Sequence, residues 1–182
     1  MSLELESETF EERSFRGEDL SDLRTTNCTF HACDFTNARL NASEHVGSDF
    51  ANSRFENAYL FGATFEDCRL LGVDFTAATL TGVTITRGDL SFALLRNHDL
   101  SGLDLRGIKA READFSGADL SEADLRGADL TRARLFNATL RGADLREATL
   151  DGVALSEALV EGAKLDLAGA VQLARSLGAD VL

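Results

Sequence analysis

Proline and tryptophan are both absent from this 182-residue sequence, and there are only one tyrosine, one methionine and three cysteines. Without proline every backbone N–H remains a usable donor, so few irregular loops are expected. An odd number of cysteines argues against a disulfide framework. No apolar run approaches the roughly 18 residues of a membrane span. The opening "MSLELESETFEERSF" lacks the basic and apolar regions of a secretion signal. Together these features place the chain, by expectation, in the cytoplasm and off the membrane. Positive charge is also scarce: 18 Lys and Arg stand against 31 Asp and Glu, a formal net charge of −13. Such a surface keeps a protein soluble. It also repels nucleic acid and phosphate-bearing substrates and attracts a basic partner.

What the sequence does have is a period of five. Of the 32 positions divisible by five from Phe10 to Leu165, eighteen are Leu and nine are Phe; Ile85 and Val160 bring the apolar total to 29. The exceptions are Thr25, His45 and Ala110. Five fits neither the 3.6-residue turn of a helix nor the two-residue alternation of a strand. Two positions before these apolar centres the residue is nearly always small, as at Cys28, Cys33, Ala38 and Cys68 and at each such position from Ala113 to Ala148. The residue between them is often acidic. Centre and small residue therefore point inward and the acid outward, as in a very short strand. Two positions after the centre stands Gly at twelve sites and Asn at six. These residues tolerate positive φ, which marks a corner.

A short extended side and a corner every five residues predict a solenoid, and four sides make a turn of twenty. Taken twenty apart, one column reads Leu20, Leu40, Leu60, Leu80 and another Phe15, Phe35, Phe55, Phe75. The expected architecture is an all-β solenoid of about eight coils, about 38 Å long at ~4.8 Å per coil. Three segments follow: an N-terminal piece at 1–9, the solenoid at 10–165, and a C-terminal helix at 166–182. Asp166 is placed to cap that helix, and Gly178 to stop it. Leu167, Ala170, Val171, Ala174 and Leu177 recur at helical spacing. The helix is expected to cover the last coil and to offer a face to another copy of the chain. In the fourth column Thr25 and His45 are stacking neighbours, expected to form a hydrogen-bonded polar pair.

Catalytic readings fall away. The three histidines are scattered, with His31 at an outward site and His98 far along the chain. The cysteines occupy small inward sites, where a structural thiol is the ordinary outcome. No phosphate loop is present, and the carboxylates lie on a convex surface without an evident cleft. No cofactor, metal or enzymatic activity is expected.

The stretch "ADFSGADLSEADLRGADL" (113–130) resembles the A(D/N)LXG signature of the pentapeptide-repeat family. That resemblance runs from about residue 10 to 165 and implies a right-handed quadrilateral β-helix. Length, acidity, an uninterrupted frame, a C-terminal helix and "CDFTNARLNASEHVGSDF" (33–50) also resemble the MfpA-type fluoroquinolone-resistance proteins. This narrower resemblance implies a rod-like homodimer joined at its C-terminal ends, a shape and charge like those of DNA, and action on DNA gyrase. The related Qnr proteins carry projecting loops; this sequence has no insertion that breaks its frame.

Tested against the residues, the DNA-like reading has some purchase. Over about 38 Å a duplex carries roughly 22 phosphate charges, against −13 here. Outward positions twenty apart align Asp104, Asp124 and Asp144, with Asp99 and Asp119 in the neighbouring column. Outward Asp also serves solubility and local backbone bonds, but stacked like charges cost stability, which argues that the strip is used. Arg126, Arg141 and Arg146 lie near enough to interrupt it. Phe136 and Leu159, outside the inward frame, are expected to join Leu167, Val171 and Ala174 in a dimer interface. Two rods so joined would span about 75 Å. Tyr59, Phe61 and Leu71 suggest a weaker apolar cluster midway. The function expected is an acidic, DNA-mimicking protein that binds gyrase or another type II topoisomerase, inhibiting it or protecting it from fluoroquinolones. The alternative is a scaffold solenoid for some other basic protein.

Overall fold

The corner position dictates the fold. A residue with positive φ stands at every fifth position from Ser7 to Gly152 and again at Gly162. Most close a β-turn over their side, as where the Ala38 N–H donates to the Phe35 carbonyl at 2.9 Å and the Ala118 N–H to that of Phe115 at 2.9 Å; at the open bends of Asn27 and Ala32 the next N–H groups, of Cys28 and Cys33, donate instead to the hydroxyls of Ser48 and Ser53. Asn and Gly take this conformation readily, but Ala32, Arg87 and Phe92 also adopt it, with φ of 51°, 52° and 62°. The ladder of neighbouring turns therefore overrides local preference at these corners. Stacking adds its own demand at Gly117, where any side chain would collide with that of Asn97 one turn earlier.

The computed structural model describes residues 3–181; Met1 and Ser2 of the 1–9 segment and Leu182 of the 166–182 segment lie outside the described residues. The chain divides into two units, Met1–Leu94 and Leu95–Leu182. Seven short strands lie in the first: β1 (Glu4–Glu6), β2 (Thr9–Glu11), β3 (Arg24–Thr26), β4 (Thr29–His31), β5 (Glu44–Val46), β6 (Thr64–Glu66) and β7 (Thr84–Thr86). All pair in parallel at a register of twenty. β1, β3, β5, β6 and β7 form one side and align Leu5, Thr25, His45, Phe65 and Ile85 over four turns. β2 and β4 begin the next side. Single bridges make the other two, such as Ser14 to Asp34 to Arg54 and Asp19 to Arg39 to Tyr59.

The second unit has the same register in single bridges: Asp99 to Asp119 to Thr139 to Leu159, and Asp104 to Asp124 to Asp144 to Lys164. These columns run three turns. The ladders run four turns in the first unit and three in the second, against the eight coils counted in the sequence.

The interior of the first unit is aromatic. Phe15 stacks on Phe35 at 4.8 Å and Phe35 on Phe55 at 4.6 Å. A second column stacks Phe10, Phe30 and Phe50, and the two columns meet edge to face. His45 occupies an aromatic place in the stack, 4.8 Å from the Phe65 ring. Its Nδ1 lies 2.8 Å from the Thr25 hydroxyl and its Nε2 3.0 Å from that of Ser43; Thr25 in turn meets the Ser48 hydroxyl at 3.0 Å. The expected polar pair is a four-residue buried network. Burial drives His45 down to about 3, so it is neutral at ordinary pH.

The second unit buries leucine over alanine, with Leu120, Leu125, Leu130 and Leu135 inside beside Ala118, Ala123, Ala128 and Ala133. It ends in α1 (Leu167–Ser176), capped where the Asp166 carboxylate accepts from the Gly169 N–H at 2.9 Å and followed by Gly178 at φ 87°. A 3₁₀ turn at Leu155–Glu157 replaces the corner expected at Glu157 and touches the helix.

Candidate protein-binding surface

Outward side chains on one side of the second unit form an alternating lattice of charge. Asp104, Asp124 and Asp144 stack at a register of twenty, as the sequence predicts. The position two residues on also faces outward, and on this side it holds Arg106, Arg126 and Arg146. Each arginine grips the aspartate of its own turn through two bonds, with Nη2 at 2.6 Å in all three. Arg106 also reaches Asp124 at 3.8 Å, and Arg126 reaches Asp144 at 3.9 Å. These hydrogen bonds hold all three carboxyls below the usual carboxylate range, Asp144 at about 2. Three carboxylates and three guanidiniums cancel, so this column is not a bare acidic strip. Arg141, expected to interrupt it, instead faces Glu161 at 3.6 Å.

The neighbouring side keeps its charge. Asp99 and Asp119 bridge in register there, with no arginine within ion-pair reach among the described residues. Asp99 accepts from the Ser101 hydroxyl at 2.6 Å and from its N–H at 3.1 Å, and these bonds lower its pKa. Asp119 accepts from the Ser121 N–H at 2.9 Å. Glu122 follows at the corner and is exposed. Of the five aspartates expected to form a strip, Asp99 and Asp119 alone present uncompensated carboxylates. Elsewhere on this unit Asp114 is buried; desolvation raises its pKa, but bonds from Ser116 and Arg96 outweigh that and leave it lowered.

The helix packs on the last turn by its small and polar side. Gly169 sits so close to the last turn that a Cβ there would lie 3.0 Å from Leu165 and 3.5 Å from Leu150. Gln172 donates to the Val153 carbonyl at 3.0 Å, and the Ser156 hydroxyl to that of Ser176 at 2.9 Å. Gly169, Gln172 and Ser176 therefore make the contact. The stripe of Leu167, Ala170, Val171, Ala174 and Leu177 lies on the opposite side of the helix. Leu167 is 82% exposed and Leu177 70%, while Val171 and Ala174 are half-buried. A recess of about 600 Å³ beside the helix is lined by Leu150, Leu167, Val171, Asp151, Gln172 and Arg175. Phe136 and Leu159 are both exposed and flank the corner column of Asn137, on adjacent sides of the solenoid.

Tyr59 and Phe61 share one side of the first unit, 51% and 60% exposed. Leu71 does not join them: ten residues past Phe61 is two sides further on, so it belongs to the opposite side. Cys28, Cys33 and Cys68 are buried free thiols. Burial pushes Cys33 up, and Cys68 up to about 12, which leaves both as inert thiols. His31 is exposed, and His98 is buried at an inward site usually given to a small residue. Among the described residues no His, Cys, Asp or Glu cluster could hold a metal ion, and no helix is long and apolar enough to cross a membrane.

Four stretches, 58–97, 89–127, 99–135 and 128–166, match the model of pentapeptide repeats. They span more than half of the chain, which therefore belongs to the pentapeptide repeat family. Fifty-five residues are 46% identical to the pentapeptide repeat protein MfpA of Mycobacterium tuberculosis, over 30% of this chain and 30% of that one. A similar match, 44% over 54 residues, is found with MfpA of Mycolicibacterium smegmatis, 28% of whose length it covers. The chain thus matches less than a third of these relatives' length. Over its whole length it is similar to trypsin-treated QnrB1, a plasmid-mediated fluoroquinolone resistance protein, with a TM-score of 0.83 and 28% identity over 91% of that chain. A second trypsin-treated QnrB1 structure matches at a TM-score of 0.81, 25% identity and 98% coverage of that chain.

Proposed function

We propose that this chain is a binding protein that occupies a basic, DNA-binding surface of a type II topoisomerase such as DNA gyrase, as an acidic stand-in for DNA. It inhibits the enzyme or shields it from fluoroquinolones and performs no chemistry of its own. The observation that carries this reading is the likeness to QnrB1 along the whole chain. The net charge of −13 supports it, because an acidic surface steers toward a basic one. On this reading Asp99 and Asp119 make the primary contact, and Asp104, Asp124 and Asp144 contribute only where a partner anion or cation displaces their arginines. The test titrates purified protein into a gyrase supercoiling assay with and without a fluoroquinolone, at low salt. A dose-dependent loss of supercoiling or of drug-induced cleavage is expected. No effect at large excess rejects the reading. Asp99→Asn with Asp119→Asn weakens the effect and flattens its salt dependence, whereas Asp124→Asn changes it little.

We further propose that segment 166–182 is a dimerisation element. The outward stripe of Leu167, Val171 and Ala174, with Phe136 and Leu159 nearby, offers an apolar, self-complementary patch at one end of the second unit. Leu167→Arg is expected to halve the mass measured by light scattering; an unchanged dimer mass rejects this interface.

A second reading, a scaffold solenoid for another protein, gains from the Asp–Arg lattice, which suits a partner of alternating rather than uniform charge. A pull-down that recovers such a partner and no topoisomerase favours it.

A further inference from the structure

Tyr59 and Phe61 are outward aromatic residues that the fold of the first unit does not use. Where an aspartate holds the outward middle of a side, its carboxylate accepts from the N–H two residues on. Asp34, Asp49, Asp74 and Asp89 do so for Thr36, Ala51, Thr76 and Ser91 at 2.8–3.0 Å. Where Arg39 and Arg69 take that place, each meets an aspartate one turn earlier, Asp19 at 3.7 Å and Asp49 at 3.0 Å. Tyr59 offers neither bond, and the Phe61 N–H turns to the Asn41 side-chain oxygen of the previous turn at 3.2 Å.

The rings do not brace the sheet either. Aromatic residues stabilise a sheet through apolar cross-strand neighbours. Tyr59 lies between Arg39 and Thr79 in its ladder, and Phe61 between Asn41 and Thr81. The surroundings leave both rings open. The corner beside Phe61 is bare, because Gly62 and Gly82 stack there; a Cβ at Gly62 would have nothing within 4 Å. Toward the previous turn a recess of about 420 Å³ is lined by Gly17, Asn37, Arg39, Asn41 and Tyr59. The rim is acidic. Glu66 and Asp67, beyond the Gly62 corner, share Arg87, and Glu56 precedes the Asn57 corner. In the whole unit sixteen Asp and Glu stand against seven Arg and no Lys. An exposed aromatic pair with a polar, charged rim has the anatomy of an interface anchor.

We propose that Tyr59 and Phe61 anchor a protein contact on the first unit, and that the partner is a basic surface carrying an exposed apolar side chain, which seats against the two rings while its cations face the acidic rim. This rests on the topoisomerase reading above, to which it adds an apolar contact besides Asp99 and Asp119. Charge brings the two surfaces together, and the rings slow their separation.

The experiment measures association and dissociation of the full chain with purified DNA gyrase by biolayer interferometry over a salt series. Tyr59→Asn with Phe61→Ser is expected to dissociate at least about tenfold faster at every salt concentration, with association and its salt slope kept near the parent's. Asp99→Asn with Asp119→Asn does the opposite, slowing association and flattening the slope. Tyr59→Asn alone supplies a side-chain oxygen for the Phe61 N–H. It is expected to unfold at no lower urea concentration than the parent and still to dissociate faster; it decides the matter if the double variant loses its β-sheet circular dichroism. A folded variant that dissociates as slowly as the parent overturns the inference and leaves the topoisomerase reading standing. A parent that does not bind gyrase rejects both. A variant that instead lowers the chain's own mass in sedimentation assigns the rings to a second copy, and the inference fails.

Discussion

Residues 3–94 are built around stacked rings and residues 95–181 around leucine and alanine, although both follow one five-residue rule. Their surfaces differ in a parallel way. Ion pairs in the first unit reach from turn to turn: Arg24 to Glu44 at 3.3 Å, Arg69 to Asp49 at 3.0 Å, and Arg87 to Asp67 at 2.9 Å. On the lattice side of the second unit the tight pairs close within a turn, two residues apart. The frame fixes which way a side chain points, and the choice of residue then fixes whether it ties turns together or satisfies itself. In the first unit rings and ion pairs add to the backbone ladder. On the lattice side of the second, leucine packing and the ladder carry the cohesion.

That contrast can be broken most sharply in the two cores. Phe50 lies against Phe30, His45, Phe55 and Phe65, so Phe50→Ala removes several ring contacts at once. Its expected cost is about 3–5 kcal/mol, while Leu125→Ala, with no ring to lose, is expected toward the lower end of about 2–5 kcal/mol. Urea unfolding of both variants checks the order, and an equal or larger loss for Leu125→Ala would show that the ring columns contribute no more than leucine.

Acid should separate the units next. His45 binds a proton in the unfolded chain below its ordinary value of 6.5, but in the folded chain only near 3. Between these values the unfolded state binds more protons, so stability falls as pH falls, by about 1.4 kcal/mol for each pH unit traversed. His45→Phe starts less stable, because it strands the Ser43 hydroxyl and leaves that of Thr25 with Ser48 alone, yet its slope over that window should flatten. Denaturation midpoints against pH decide this; a variant slope as steep as the parent's assigns the acid sensitivity elsewhere.

The smallest difference lies in the surface pairs. Asp49→Asn cuts a turn-to-turn link and Asp124→Asn a link mostly within one turn. Both carboxylates are half-buried but pair with solvent-exposed arginines, so each link is screened and is expected to cost less than about 1 kcal/mol. High salt should erase most of either effect; a loss from Asp124→Asn that persists in salt would mean that its arginine bonds brace the backbone.

Much of this was legible before any coordinates. The frame is unbroken, the inward residues are consistent, and Gly and Asn mark corners, so four sides and a register of twenty follow from arithmetic. The Asp–Arg lattice was equally present, as "DLR" at 104–106, 124–126 and 144–146. Arg126 and Arg146 are legible as lying near the strip, but Arg106 and the pairing within each turn are passed over when the aspartates are followed up the column and not along the side, where the residue two on also faces out. Leu71 was misplaced for a related reason: nearness in sequence to Phe61 hid a step of two sides. The orientation of α1 was not legible. An apolar stripe says which side of a helix avoids water, but here the close fit of Gly169 and the serine bonds of Ser156 and Ser176 hold the other side to the solenoid.

The register that stacks Asp104, Asp124 and Asp144 also sets the units in which such a chain can lengthen. Adding five residues moves every later side chain around one corner, so a column of leucine would sit over a column of phenylalanine and each aspartate over a different neighbour. Adding twenty leaves all columns in place. Inheritance by duplication is therefore tolerated in whole turns, and each duplicated turn carries its own aspartate and arginine already matched.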